Sequence, residues 1–158
     1  MLGVTSPGDS LEGESDIPAF STNIKAVVSF FSATDFTLPT QPLTPELETE
    51  MQKYYKKSLK EVRKDFTGAT SRADPILKKI SVLPYVNKDD AAILMFHGES
   101  DPFVSIEHPR RLQEALKKAG VANQLVIVPG GGHGWTGSLQ EQTTRQMVDF
   151  FDKMLKSR

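Results

Sequence analysis

Three short apolar runs constrain this chain more than any other feature. Residues 25–31 read Lys-Ala-Val-Val-Ser-Phe-Phe, residues 92–97 Ala-Ile-Leu-Met-Phe-His and residues 124–128 Gln-Leu-Val-Ile-Val. Each is too short for a buried helix and lacks the polar alternation of a strand with one wet face, so each reads as a strand buried on both faces. Long segments with helical periodicity separate them. Short buried strands joined by long crossovers specify right-handed parallel βαβ units, and hence an α/β fold built on a three-stranded parallel sheet with crossover and flanking helices.

The connecting segments carry their own signals. Thr44 followed by Pro45 is a helix start, a hydroxyl cap before Pro in the first turn. Leu47, Met51, Tyr54, Tyr55, Leu59, Val62 and Phe66 then fall at helical spacing. They predict a single amphipathic helix of about five or six turns, ended by Gly68, with a solvated lysine-rich face. Asp74-Pro75 opens a short helical turn through Ile80. A further helix runs to Ala119 from a start at Ser105 or His108, with Gly120 past its end. Ser138 and Glu141 have the spacing of a capping box. Met147, Val148, Phe150, Phe151, Met154 and Leu155 give the last helix its apolar face.

At the N-terminus, residues 1–4 form an apolar stub and residues 5–23 are loop-like. The stub reads either as the tail of a helix or as a frayed terminus. The chain divides into a loop and helix remnant at 1–24, a strand with a helical insertion at 25–90, and a strand-helix-strand-helix unit at 91–158, all within one domain. No internal repeat or low-complexity segment interrupts it. Three strands leave the first with an open edge, which is aggregation-prone if unpaired.

Composition removes whole classes of function. Nineteen Lys and Arg against twenty Asp and Glu leave a net charge of −1, which argues against a nucleic-acid partner. The absence of cysteine excludes disulfides, thiol catalysis and Cys-ligated metals. Three histidines with no i,i+4 pairing give no metal signal, and no cofactor motif is present. No apolar run approaches the ~20 residues that span a bilayer. The first residues have neither the basic nor the apolar region of a signal peptide.

In an open parallel sheet, chemistry gathers in the loops past the carboxyl ends of the strands. Two such loops carry titratable groups: His97-Gly98-Glu99-Ser100-Asp101-Pro102 after the second strand, and Gly130-Gly131-Gly132-His133-Gly134-Trp135 after the third. Adjacent strands lie about 4.8 Å apart, so Asp101 and His133 fall within hydrogen-bonding reach. A carboxylate on one ring nitrogen fixes the tautomer of a histidine and stabilises its imidazolium, which is the acid and base half of a nucleophilic triad. Phe103 and Trp135 flank this point as candidate walls of a substrate pocket. Glu99 is expected to be solvated, His97 structural and His108 exposed; the role of Asp35 is open.

These segments, in this order, resemble the C-terminal part of the α/β-hydrolase fold. His97-Gly98-Glu99-Ser100-Asp101 follows a strand, a helix ends Leu116-Lys117-Lys118-Ala119-Gly120, and Pro129-Gly130-Gly131-Gly132-His133-Gly134 follows the next strand. The esterase/lipase branch, with feruloyl-esterase-like and hormone-sensitive-lipase-like members, is the most similar. Thr34-Asp35-Phe36, residues 66–70, residues 74–81 and the stub at 1–3 extend the resemblance over nearly the whole chain; Ala91-Ala92, where members often have proline, is a minor departure. The resemblance implies that Asp101 is the triad acid, His133 the base, and a small-molecule ester the substrate.

It also implies a nucleophilic serine in Gly-x-Ser-x-Gly, upstream with the oxyanion-hole loop. The 158 residues contain no Gly-x-Ser-x-Gly. The expectation is therefore the C-terminal half of a serine hydrolase, inactive alone and completed by an N-terminal half or a companion chain. A prolyl-oligopeptidase-type peptidase uses the same Asp and His order and is the second hydrolase reading. A non-catalytic α/β binding module, pairing through the open first strand with another copy or another protein, is the alternative outside enzymes. Gly8-Asp9-Ser10-Leu11 spells the motif of a different hydrolase family, but no strand precedes it and no Asp stands three residues before His133, so it reads as a turn.

Overall fold

The computed structural model describes residues 3–5, 9 and 23–156. Among these, three strands, β1 (Ala26–Phe30), β2 (Ala92–Gly98) and β3 (Asn123–Val128), form one parallel sheet in the order β1-β2-β3. The helices are α1 (Pro45–Tyr55), α2 (Leu59–Thr67), α3 (Pro75–Lys79), α4 (Glu107–Ala119) and α5 (Gly137–Lys156), with a 3₁₀ turn at Leu83–Tyr85.

β2 is the axis of the molecule. Its side chains alternate between two apolar layers, as a strand covered on both faces requires. Ile93 and Met95 pack with Leu112 and Leu116 of α4 and with Val4, Val82 and Val121. Leu94 and Phe96 face Val128, Trp135 and, on α5, Leu139, Met147 and Phe150. The helices that follow β2 and β3 thus cover opposite faces of the sheet. Val4 is buried and Gly3 lies over Val27, its carbonyl accepting the Ala91 N–H, so this part of the apolar stub is core rather than frayed. Residues 1–2 lie outside the described residues, as do Gly8, Ser10 and Leu11 of the second hydrolase motif.

Several local expectations are corrected. The single helix over 44–67 is two. Lys56 takes a left-handed conformation (φ 56°) and closes α1, and a complete capping box between Ser58 and Glu61 restarts the chain as α2. That break turns Tyr54, Tyr55 and Phe66 out to solvent. β1 is half-buried throughout rather than fully covered, because only β2 pairs with it among the described residues. The capping box read at Ser138 does not form; α5 begins at Gly137 (φ 62°) with Ser138 inside its first turn. Val148 and Leu155 are exposed rather than part of the apolar face.

His108 is buried, not exposed. Its Nδ1 accepts the N–H groups of Thr34 (3.3 Å) and Asp35 (3.1 Å), and its carbonyl accepts the Thr34 hydroxyl (2.9 Å). Asp35 in turn accepts Arg111 at 3.0 Å. The loop after β1 is thereby tied to the start of α4. Burial is the main cause that holds the His108 pKa below its ordinary value, helped by the positive groups around it and opposed by Asp35.

The carboxyl ends of β2 and β3 are clamped. Gly98 pairs with Val128 in register. Beyond that point Glu99 N–H donates to the Val128 carbonyl (3.0 Å) and Ser100 N–H to the Gly131 carbonyl (2.9 Å). The Glu99 carboxylate, on an otherwise exposed side chain, accepts the Gly130 N–H at 3.3 Å. A Cβ on Gly98 would lie 2.1 Å from the Gly132 carbonyl oxygen and 2.4 Å from that of Gly131, so only glycine admits this approach.

Two outcomes follow from these contacts. Below about pH 6.5 the unfolded chain protonates His108 while the folded chain keeps Nδ1 free as an acceptor. Urea unfolding should therefore show stability decreasing as the pH is lowered below that value, by at most about 1.4 kcal/mol per pH unit for one proton. His108→Asn, whose Oδ1 accepts the same two N–H groups, should lack that component; an identical slope in both proteins contradicts the assignment. Gly98→Ala should cost about 1–3 kcal/mol or more, because backbone and not a movable side chain is in the way. Unchanged stability would show that the two loops are not held as described.

Candidate functional site

Asp101 and His133 meet where the two clamped loops end. Asp101 Oδ2 lies 2.9 Å from His133 Nδ1. Asp101 Oδ1 accepts the N–H groups of Phe103 (2.9 Å) and Val104 (3.0 Å), so both oxygens are engaged. The Asp101 side chain is buried, at 1% exposure, whereas that of His133 is 36% exposed. Burial works to raise the Asp101 pKa, but the His133 hydrogen bond and the two backbone N–H groups outweigh it and hold the pKa below the usual carboxylate value. An ionised Asp101 can only accept, so the proton of the bond belongs to His133 Nδ1. Nε2 is then the basic nitrogen, and among the described residues it has no hydrogen-bond partner. This is the geometry of a general base oriented by a carboxylate.

Two aromatic rings grip the imidazole. Phe31 lies 4.8 Å from it between ring centres and Phe103 lies 5.4 Å away, edge to face. Phe103 thus lies beside His133. Trp135 does not touch the imidazole; its indole packs against Phe30 and Phe31 and its N–H donates to Thr143 (2.9 Å), so it belongs to the core beneath the site. Sequence reasoning missed Phe31. It directly follows β1 in a left-handed conformation (φ 39°), rare for a bulky residue, and such strain concentrates at functional sites. Nothing in the local sequence signals it, because the conformation is set by tertiary packing.

A cavity of about 640 Å³ opens on His133, lined among others by Phe31, Phe36, Phe103, Tyr55 and Arg63. The α1–α2 pair forms one side of it. Arg63 anchors that pair, donating to the carbonyls of Phe36 and Leu38. Four hydroxyl residues line the cavity: Ser32, Thr40, Tyr55 and Ser105. The Ser32 hydroxyl donates to the Phe30 carbonyl and Ser105 accepts the Glu107 N–H. Among the described residues, no hydroxyl is bonded to His133. His97 is buried behind Asp101, its Nε2 2.8 Å from the Val104 carbonyl. Among the described residues, no three His, Cys, Asp or Glu side chains cluster closely enough to hold a metal ion.

The sequence profile of the prolyl oligopeptidase family matches residues 48–158. Among solved structures, a truncated form of a carbohydrate esterase from gut microbiota is 28% identical, with a TM-score of 0.64 over 97% of this chain and 54% of that one. An esterase from the Planctomycetes species Thermogutta terrifontis, in its butyrate-bound structure, is 21% identical with a TM-score of 0.62, over 90% of this chain and 48% of that one. The acylaminoacyl peptidase of Pyrococcus horikoshii is 21% identical with a TM-score of 0.63, over 87% of this chain and 21% of that one. The chain thus spans about half the length of the carbohydrate esterase it matches. The sheet, its order and these relatives establish the α/β-hydrolase fold expected from the sequence, and the matching family is the one set second among the hydrolase readings. The chain belongs to the prolyl oligopeptidase family, serine-hydrolase-type proteins of the α/β-hydrolase fold.

Proposed function

We propose that this chain supplies the acid and the base of a Ser-His-Asp acyl transfer, and that the substrates are carboxylic esters. The 2.9 Å bond between Asp101 and His133 carries the reading, because it leaves Nε2 as a free base at the mouth of a cavity. A serine hydroxyl attacks the ester carbonyl while its proton passes to His133 Nε2. The C–O bond breaks, and the same proton goes to the leaving alcohol. Water then releases the acyl group by the reverse exchange. Asp101 orients the ring and offsets the imidazolium charge in both halves.

The nucleophile and the oxyanion donors come from outside this chain's residues, from an N-terminal half or a companion chain, so the chain alone turns over little or nothing. Phe103 and Phe31 wall the acyl side of the site. The carbohydrate esterase relative supports esters as the substrate class. The name of the matching family supports a second reading, peptide hydrolysis through the same pair. The half-buried edge strand β1, beside an apolar groove of about 660 Å³, supports a surface for the completing polypeptide; a second copy pairing there is the non-catalytic alternative.

The test begins with the genomic DNA upstream of the Met1 codon. The longest open frame is expressed and assayed on p-nitrophenyl acetate and on an aminoacyl p-nitroanilide. Ester turnover should exceed anilide turnover. Asp101→Asn should lower kcat by about 10³–10⁴-fold, and His133→Ala by at least as much. The 158-residue chain alone should show no turnover above buffer. Full activity in both variants overturns the site assignment, and preferred anilide turnover replaces the ester reading with the peptidase one.

A further inference from the structure

We propose that His97 is a positioning residue for Asp101, acting through the backbone of Val104; the inference rests on the acyl-transfer reading of Asp101 and His133. His97 sits on β2 and is fully buried. Its Nε2 is 2.8 Å from the Val104 carbonyl oxygen. A carbonyl only accepts, so Nε2 carries the ring proton. Nδ1 is buried and has no hydrogen-bond partner among the described residues. The bond to Val104 therefore fixes the ring with a proton on Nε2.

Both backbone polar groups of Val104 are used. Its carbonyl accepts from His97, and its N–H donates to Asp101 Oδ1 at 3.0 Å. Asp101 Oδ1 accepts the N–H groups of both Phe103 and Val104, so its direction depends on where this turn is held. His97 fastens the turn to β2, the most buried strand of the sheet. The same Nε2 lies 3.6 Å from Asp101 Oδ2, the oxygen bonded to His133. That is too long for a hydrogen bond, so His97 does not compete for the oxygen.

The experiment uses nitrogen-15 imidazole spectra of the chain at alkaline pH, which report the tautomer of each neutral histidine. The His133 signal is identified by its loss in His133→Gln. Wild type should show His133 in the Nδ1–H form alone. His97→Gln places an amide N–H the same number of bonds from Cα as Nε2 and should keep that single form. His97→Met fills the space without a donor and should give a mixture of the two tautomers at His133. A single Nδ1–H form in folded His97→Met overturns the proposal, as does a mixture in folded His97→Gln. If His97→Met does not fold, the Gln variant decides; if neither folds, His97 is a folding residue and the positioning role is withdrawn. The readout needs no nucleophile and no turnover. Failure of the ester assay and failure of this inference are therefore separate results.

Discussion

The register between β2 and β3 is the constraint on which the site depends. Pairing of Gly98 with Val128 ends both strands at one level. The backbone can then close the gap above them only if position 98 lacks a Cβ, since the Gly131 and Gly132 carbonyls occupy that space. The contact is made of main-chain atoms and is buried, so it is stiff in a way that side-chain contacts are not. Everything chemical in the chain sits on it. Asp101 leaves one loop and His133 the other, and their bond spans 32 residues of sequence. A slip of one residue in register would turn Leu94 and Phe96 to the wrong face of the sheet and separate the pair.

Around the pair, polarity is spent on position rather than on stability. Every hydrogen-bonding oxygen of Asp101 is taken, by one imidazole and two backbone N–H groups. The rings of Phe31 and Phe103 restrict the imidazole from two directions. The loop after β1 is tied to α4 by His108 and by the Asp35–Arg111 pair. Burial raises the Asp35 pKa, but the Thr37 and Arg111 contacts win and keep it below the ordinary value, so the pair is ionic at neutral pH. Arg111 is half-exposed, which makes this a tether and not a large source of stability.

What could be read from the sequence follows how local each signal is. β2 was legible because a doubly covered strand must be apolar at every position, and residues 93–96 are. The start of α1 was legible at Thr44-Pro45, and the end of α4 at Gly120, whose φ of 76° only a glycine adopts readily. Asp101 and His133 were legible from the loops that hold them. The split between α1 and α2 was written in Ser58 and Glu61, but the apolar spacing runs across it from Met51 to Phe66 and hides it. His108 gave no sign of burial, since its partners Thr34 and Asp35 lie more than 70 residues away. Phe31 and the tilt of Trp135 into the core depend on packing between β1 and the loop after β3, which no local pattern encodes.

The central claim is that the fold of this chain by itself brings Asp101 and His133 into hydrogen-bond contact. A crystal structure of the 158-residue chain at neutral pH tests it most directly. The account predicts Asp101 Oδ2 and His133 Nδ1 at 2.9 Å, with Val104 and Phe103 donating to the other oxygen. Asp101 and His133 on separated loops, or His133 bonded through Nε2, would contradict it.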